Sequence, residues 1–365
     1  MVKGMQEVID VMEKAKVDLA ANGGLEQVIF VACGGSLASS YPARYLLGQE
    51  SRLKVLGYNS SEFVNATPRT VGPNTLVIAT STKATAETVE ALKVANEKGA
   101  VTIGLSGYAD SLTAQTARYY ITYYHADEWY QDPSLVHCNS QGTALKIAFW
   151  LLKEYDHYAA YDKALTAFEL MPEIYGAAHE GVKAQAAQFA MTYKDDTVWN
   201  VMSSGAAWEV SYSDAFCFFQ EMQTVHCVPV HSGEYFHGAF ETCDKDLAIL
   251  LFKSVGRTRP LDERAERFLN QFAGHHWIID AEELGLAVWT PRWRSTSTRC
   301  SSTPSPSSSS RLWAMCGCTP CPTAAICGSL TIEFSSPDFP VLVNTGSRPA
   351  ALSIVLPLQW ASASR

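Results

Sequence analysis

The chain has 365 residues, of which 47% are apolar and 18% charged, with a formal net charge of −9. That composition excludes a disordered chain and leaves length for two or three domains. The acidic balance argues against a nucleic-acid partner held through its phosphates.

Residues 3–21 have helical periodicity, with Val8, Ile9, Met12, Val17 and Leu19 as the expected core face. Asn22-Gly23-Gly24 ends that helix. The first strand is expected at 27–32 (QVIFVA), stopping at Cys33-Gly34-Gly35-Ser36, with a helix over 36–49. A strand at 53–58 and another at 75–80 (TLVIAT) come next, then Ser81-Thr82-Lys83 and a helix over 84–98. Strands at 101–105 and 118–124 and helices over 137–155 and 160–192 complete a first unit and its link. The pattern then restarts. A strand at 197–203 ends in Ser203-Ser204-Gly205, and a helix runs to 222. Strands are expected at 227–230, 246–252 and 276–280, with a helix over 260–272. Strands alternating with helices predict an α/β fold of doubly wound parallel-sheet units flanked by helices. The expected domains are an N-terminal helix (1–21), a first α/β unit (22–156), linking helices with a second unit (157–286), and an irregular tail (287–365).

The tail differs in character. Residues 1–286 hold 22 Lys+Arg and 35 Asp+Glu; residues 287–365 hold six Arg, no Lys and two acids. Nine of the 16 Pro lie in those last 79 residues, and 12 of the 16 residues from Ser295 to Ser310 are Ser or Thr. Regrouping the permitted codons across residues 325–333 by one base yields a charged ending and an in-frame stop. We therefore read the tail as the product of a one-base slip between about residues 280 and 289, unstructured and expected to leave the chain poorly stable and weakly active. On this reading Cys316-x-Cys318-x-x-Cys321 is frame noise rather than a zinc site; it has no His partner. The amphipathic N-terminus lacks the apolar core of a signal peptide, and no run of about 18 uncharged apolar residues predicts a membrane span. A cytoplasmic protein with its Cys residues as thiols is expected. Cys33 reads as a small buried residue rather than a nucleophile.

Two loops at expected strand ends suit an anion. One is Gly34-Gly35-Ser36; the other is Thr80-Ser81-Thr82-Lys83-Ala84-Thr85. Hydroxyls and free N–H groups at a helix N-terminus fit a phosphate, although Ser and Thr also serve there as ordinary caps. Neither loop is a Walker A or G-x-G-x-x-G sequence. The second dense stretch runs from Glu221 to Gly238 and holds His226, His231, His237, Glu221 and Glu234. A metal site, polar element ends, and acid–base catalysis compete as readings. The His spacings of five and six disfavour a metal on one helical face. Phe218, Phe219 and Met222 suggest an apolar enclosure for Glu221, as suits a general base, with His237 as proton shuttle.

The ACGGS of residues 32–36, the hydroxyl loop at 80–85, and Glu221 followed sixteen residues later by His237 in SGEYFHG together resemble the sugar isomerase (SIS) domain family. Within it, residues 25–286 are similar to fructosamine 6-phosphate deglycases of the fructoselysine type. The resemblance implies two five-stranded units per chain, a homodimer or higher homo-oligomer, a small-molecule sugar phosphate as partner, and no metal or organic cofactor. It implies phosphate binding by Gly35, Ser36, Thr80, Ser81, Thr82 and Thr85, with Glu221 as proton-abstracting base and His237 as the acid–base that opens the ring. Lys83 stands where such loops usually carry Gly. The implied reaction releases glucose 6-phosphate and a free amine from a ketoamine 6-phosphate. An aldose–ketose isomerase or deaminase of an amino-sugar phosphate, and a sensing module without turnover, remain as alternatives.

Overall fold

The computed structural model describes residues 1–124, 128 and 131–284. Helix α1 (Met5–Ala21) leads into β1 (Gln27–Ala32), α2 (Gly34–Ser39), α3 (Tyr41–Glu50), β2 (Lys54–Asn59) and α4 (Ser60–Asn65). Then come β3 (Thr75–Thr80), α5 (Ala86–Glu97), β4 (Val101–Ser106), α6 (Leu112–Thr116) and β5 (Tyr119–Thr122). These strands form a wholly parallel sheet in the order β2-β1-β3-β4-β5. The apolar runs of β1, β3 and β4 are buried at every position, as central parallel strands require, whereas β2 and β5 are partly exposed edges.

Helix α7 (Ser140–Asp156), buried along most of its length, and α8 (Tyr161–Tyr193) connect to the second sheet. Helix α8 enters both cores. Its Phe168 and Met171 pack with Phe149 of α7 and Phe30 of β1, while Phe189 and Tyr193 pack with Trp199 and Val201. The second sheet is β6 (Val198–Ser203), β7 (His226–His231), β8 (Ala248–Lys253) and β9 (His276–Asp280), parallel in the order β7-β6-β8-β9. Between β6 and β7 lie α9 (Trp208–Ser213) and a π-helix (Asp214–Met222); α10 (Arg259–Phe272) joins β8 to β9. The α/β architecture of two doubly wound units is therefore present.

Four expectations change. Val17 is 69% exposed, because the buried face of α1 runs through Met5, Val8, Met12, Ala15 and Leu19 and turns Val17 to the opposite side. The single helix expected over 36–49 is two, breaking at Ser40, where Pro42 lies in the first turn of α3 and needs no N–H there. The helix expected to run to 222 is a 3₁₀ turn, then α9, then the π-helix. The second sheet has four strands among the described residues, where the resemblance implied five. The tail from 287, with its Cys spacing, lies outside the described residues.

The last described strand is tied down by charge. Asp280 receives hydrogen bonds from Arg259 Nη1 and Nη2, both at 2.8 Å, and forms an ion pair with Lys253 Nζ at 2.6 Å. Lys253 also meets Glu266 at 2.7 Å. Burial opposes ionisation of Asp280, but the donors of Arg259 and Lys253 outweigh it and hold the carboxyl down at about 2. Its folded value lies below the ordinary 3.8, so its stabilisation is complete above about pH 4 and is lost as pH falls toward 2. Thermal melts between pH 5 and 2 should fall more steeply for the wild type than for Asp280→Asn. At neutral pH that variant should lose about 2 kcal/mol, because Lys253 and Arg259 each lose one carboxylate while Glu266 and Glu282 remain to them.

Candidate active site

In an open parallel sheet, ligands sit outside the carboxyl ends of the strands where the strand order reverses. In the first sheet that point lies between β1 and β3. The two expected anion loops flank it: Gly34–Ser36 comes after β1 and Ser81–Thr85 after β3.

The first loop turns tightly. Gly34 has φ +52, a left-handed conformation that a side chain would strain. Cys33 is half-buried rather than buried, with its Sγ 3.8 Å from Asn59 Nδ2 of the neighbouring strand end. The second loop is held from beneath. Ser81 Oγ accepts from Thr85 N at 2.9 Å and donates to Thr85 Oγ1 at 3.0 Å. The carbonyl of Thr82 accepts from Ser106 Oγ at 3.0 Å and from Gly107 N at 3.1 Å. Tyr123 Oη donates to Thr82 Oγ1 at 3.0 Å; burial pushes that phenol up to about 12, so it stays a donor. Thr80 and Ser81 are 2% and 1% exposed, whereas Thr82 and Thr85 face solvent. Thr85 opens α5, and its carbonyl already accepts from Thr88 N and Val89 N. The N–H groups of Ala86 and Glu87, in the same first turn, stay available to an anion.

Glu221 comes to this loop pair from the second unit. It lies on the π-helix, which packs against α2 together with α9. A Cβ placed on Gly35 would stand 3.5 Å from Cys217 Sγ, so the first loop and the Glu221 helix touch through a glycine and a thiol. Cys217 feels both Glu221 and Asp214. Burial first, and those two carboxylates second, push its thiol up to about 11 and keep it neutral. Glu221 is exposed, so the apolar enclosure expected from Phe218, Phe219 and Met222 does not form in the single chain. Phe219 turns into the core with Trp199, while Met222 stays exposed beside Glu221.

His237 ends a 3₁₀ turn (Tyr235–His237) and is exposed, with Gly238 at φ +150 behind it. Glu234 is exposed as well. His231 is half-buried; its Nδ1 accepts from Gly233 N at 3.0 Å, and its ring meets Trp208 at 5.3 Å. The described residues gather no three His, Cys, Asp or Glu side chains able to hold a metal ion.

The second sheet has an equivalent reversal between β6 and β8, and its own loops fill it. Gly205, at φ +58, matches Gly34 in its strand–glycine–helix turn, but Thr258 occupies the space a Cβ there would take. Ser204 Oγ donates to the Thr258 carbonyl at 3.3 Å. Below them Asp262 is fully buried, accepting at Oδ2 from Ser254 N and Oγ at 3.0 and 2.9 Å. Burial pushes its carboxyl up, partly offset by the surrounding serines. Thr258 thus fills the position above Gly205, whereas a Cβ on Gly34 of the first turn would meet nothing within 4 Å.

Sequence reasoning missed Tyr123, Cys217 and Asn59. Each contributes through a contact between distant segments, and none sits in a loop that looks chemical. The terminal hydroxyl of an otherwise apolar strand end was the one available signal for Tyr123.

The chain is similar to known proteins in sequence and in fold. A match to the SIS domain family spans residues 25–152. Fructosamine deglycase FrlB of Bacillus subtilis (strain 168) is 33% identical over 259 residues, covering 70% of this chain and 77% of that protein. Fructoselysine 6-phosphate deglycase of Escherichia coli (strain K12) is 24% identical over 268 residues, covering 73% and 76%. A crystal structure from Salmonella typhimurium LT2, provisionally assigned as a phosphosugar isomerase, superposes with a TM-score of 0.76 at 33% identity, over 90% of this chain and 88% of that one.

The loop geometry makes a prediction of its own. Tyr123→Phe deletes one buried hydrogen bond to the loop at 81–85, worth about 1 kcal/mol. Differential scanning calorimetry should show a melting temperature lower by a few degrees. Titration with inorganic phosphate should show weaker binding, and unchanged binding would detach Tyr123 from the anion site.

Proposed function

The chain belongs to the SIS domain family, and we propose that within it this protein is an enzyme that cleaves a fructosamine (ketoamine) 6-phosphate to glucose 6-phosphate and a free amine. One observation carries the reading. The helix bearing Glu221 is seated on the Gly34–Ser36 loop through Cys217 and Gly35, which supports a carboxylate of one unit acting beside the anion loops of the other.

The phosphate is held by Ser36 and the loop hydroxyls of Thr80, Ser81, Thr82 and Thr85, with Gly35 letting the ligand approach the backbone. This fixes the sugar and presents its C1–C2 end to the carboxylate. His237 transfers a proton to open the ring and expose the C2 ketone. Glu221 removes a C1 proton; its electron pair forms the C1=C2 bond as the C2 oxygen gains a proton, giving the enaminol. Reprotonation at C2 moves the double bond to C1=N. Water adds to C1 of that imine, and the C1–N bond breaks as the nitrogen gains a proton. The products are an aldose 6-phosphate and the amine, and neither oxidant nor reductant is needed. Each positioned acid–base group contributes on the order of 10²–10⁴-fold.

We read the working form as a homodimer. Phe216 and Met222 on the π-helix and Val228 on the adjacent edge strand β7 are exposed at 42%, 48% and 53%. A second copy laid there would enclose Glu221, which the single chain leaves open.

The direct test measures glucose 6-phosphate release from fructoselysine 6-phosphate through a coupled dehydrogenase. Glu221→Gln should lower kcat at least a thousandfold while leaving KM within a few-fold, because the amide keeps the shape and loses the base. His237→Asn should slow ring opening, with the larger loss on cyclic substrate. Turnover undiminished in Glu221→Gln would end the proposal. Saturable binding of the substrate by the wild type without any product would shift the assignment to a sensing module.

A further inference from the structure

The anion loops present a charge imbalance. A sugar phosphate carries about −1.5 to −2 charges near neutral pH. Ser36, Thr80, Ser81, Thr82 and Thr85 are neutral, and a helix N-terminus supplies only about +0.5. The first turn of α5 even carries Glu87, which opposes an anion. The segment Thr80–Thr85 contains one cationic side chain, Lys83.

Lys83 has a fixed root and a free head. Its carbonyl accepts from Thr113 Oγ1 at 3.3 Å, and the preceding residue is pinned through Ser106, Gly107 and Tyr123. The backbone therefore launches the side chain from the middle of the loop, one residue from Thr82 and two from both Ser81 and Thr85. The side chain is exposed and forms no ion pair with the described residues. Its ammonium instead rests 5.7 Å from the centroid of the Tyr108 ring. Tyr108 lies just past Ser106-Gly107 at the end of β4, the next strand along, and is 42% exposed. Its phenol also lies close enough to Tyr123 to act on that group electrostatically. Tyr108, Tyr123, Thr82 and Lys83 thus form one cluster at the rim of the anion site.

The geometry points to Lys83 as a phosphate-binding arm held in reserve on Tyr108. This rests on the proposed function, which places the phosphate at the loop of residues 80–85. The resting contact is weak, as exposed cation–π pairs are. A dianion arriving at the loop offers the ammonium a charge-assisted hydrogen bond, which is stronger. The side chain leaves Tyr108, turns over the loop and supplies the charge that the hydroxyls lack. Tyr108 therefore competes with the ligand for Lys83. It orders the empty site at a small expense in affinity, and it makes recognition depend on the phosphate's charge as well as its shape.

This competition distinguishes the arm from an ordinary surface lysine. Isothermal titration of the full chain with glucose 6-phosphate would be run at about 20 and 200 mM salt. Lys83→Met, which keeps the stem and drops the charge, should weaken binding about ten- to hundredfold. It should also flatten the salt dependence. Tyr108→Leu should tighten binding about two- to fivefold by removing the resting place. The double variant should match Lys83→Met, since the competition of Tyr108 with the ligand acts through the ammonium. In turnover, Lys83→Met should raise KM and leave kcat nearly unchanged, and its melting temperature should match the wild type because the side chain is exposed. Wild-type affinity in Lys83→Met, or a gain from Tyr108→Leu that persists in the double variant, overturns the inference while leaving the deglycase reading intact. A wild type that binds neither glucose 6-phosphate nor fructoselysine 6-phosphate defeats both.

Discussion

The site depends on one contact, that of the Gly34-Gly35 turn with Cys217 on the π-helix. A strand that ends in a left-handed glycine lets the backbone double back above the sheet. The second residue, also glycine, then presents no side chain, so the neighbouring helix can settle onto it at van der Waals distance. Each anion loop belongs to the first unit and Glu221 to the second. Neither unit carries the combination alone. On the proposed function, the interdomain packing of α2 against α9 and the π-helix is therefore part of the chemistry.

The π-helix shapes that contact. Widening the turn to i→i+5 hydrogen bonds spreads successive side chains differently from an α-helix, and such segments gather at functional sites. Here the segment Asp214–Met222 sends Phe219 into the aromatic core with Trp199 and leaves Phe216, Glu221 and Met222 outside. Because Phe219 is held by the core, the helix backbone that carries Glu221 two residues later is anchored with it. Cys217 sits between the carboxylate and the loop as a neutral spacer, since burial and its acidic neighbours hold its proton.

Much of this was legible in the sequence for physical reasons. Runs such as QVIFVA and TLVIAT can only be doubly covered parallel strands, and hydroxyl-rich or glycine-rich loops after them mark the carboxyl ends. Glu221 and His237 stood out in the sequence as members of a cluster of titratable groups, although the exposure of both did not. What escaped was set by tertiary context. The sequence DAFCFFQEM is apolar on nearly every side, so no period distinguishes α from π, and the enclosure of Glu221 by its sequence neighbours was a natural misreading. Val17 fitted a helical pattern but lies on the opposite side of the helix from the buried stripe. Tyr123 reaches Thr82 across 41 residues of sequence, a distance no local pattern spans.

The two sheets repeat one strand order and one glycine turn, yet the loops at their reversals are packed differently. The difference lies in the loop after the third strand of each order. After β3, small hydroxyl residues hold themselves in a compact turn through Ser81 and Thr85, and a Cβ on Gly34 would meet nothing within 4 Å. After β8, Thr258 folds back over Gly205, Ser204 closes onto its carbonyl, and a buried carboxyl lies beneath. A phosphate entering there would meet a filled volume and an acidic group in a medium of low dielectric, where like charges repel strongly. The same serines that would have bound a phosphate are spent on Asp262, and this packing lets the second unit serve as the platform that carries Glu221. A site open at both reversals would have required loosening the packing around β6 that holds the π-helix in place. On the proposed function, the two units divide the work, the filled one carrying Glu221 and the other the phosphate loops.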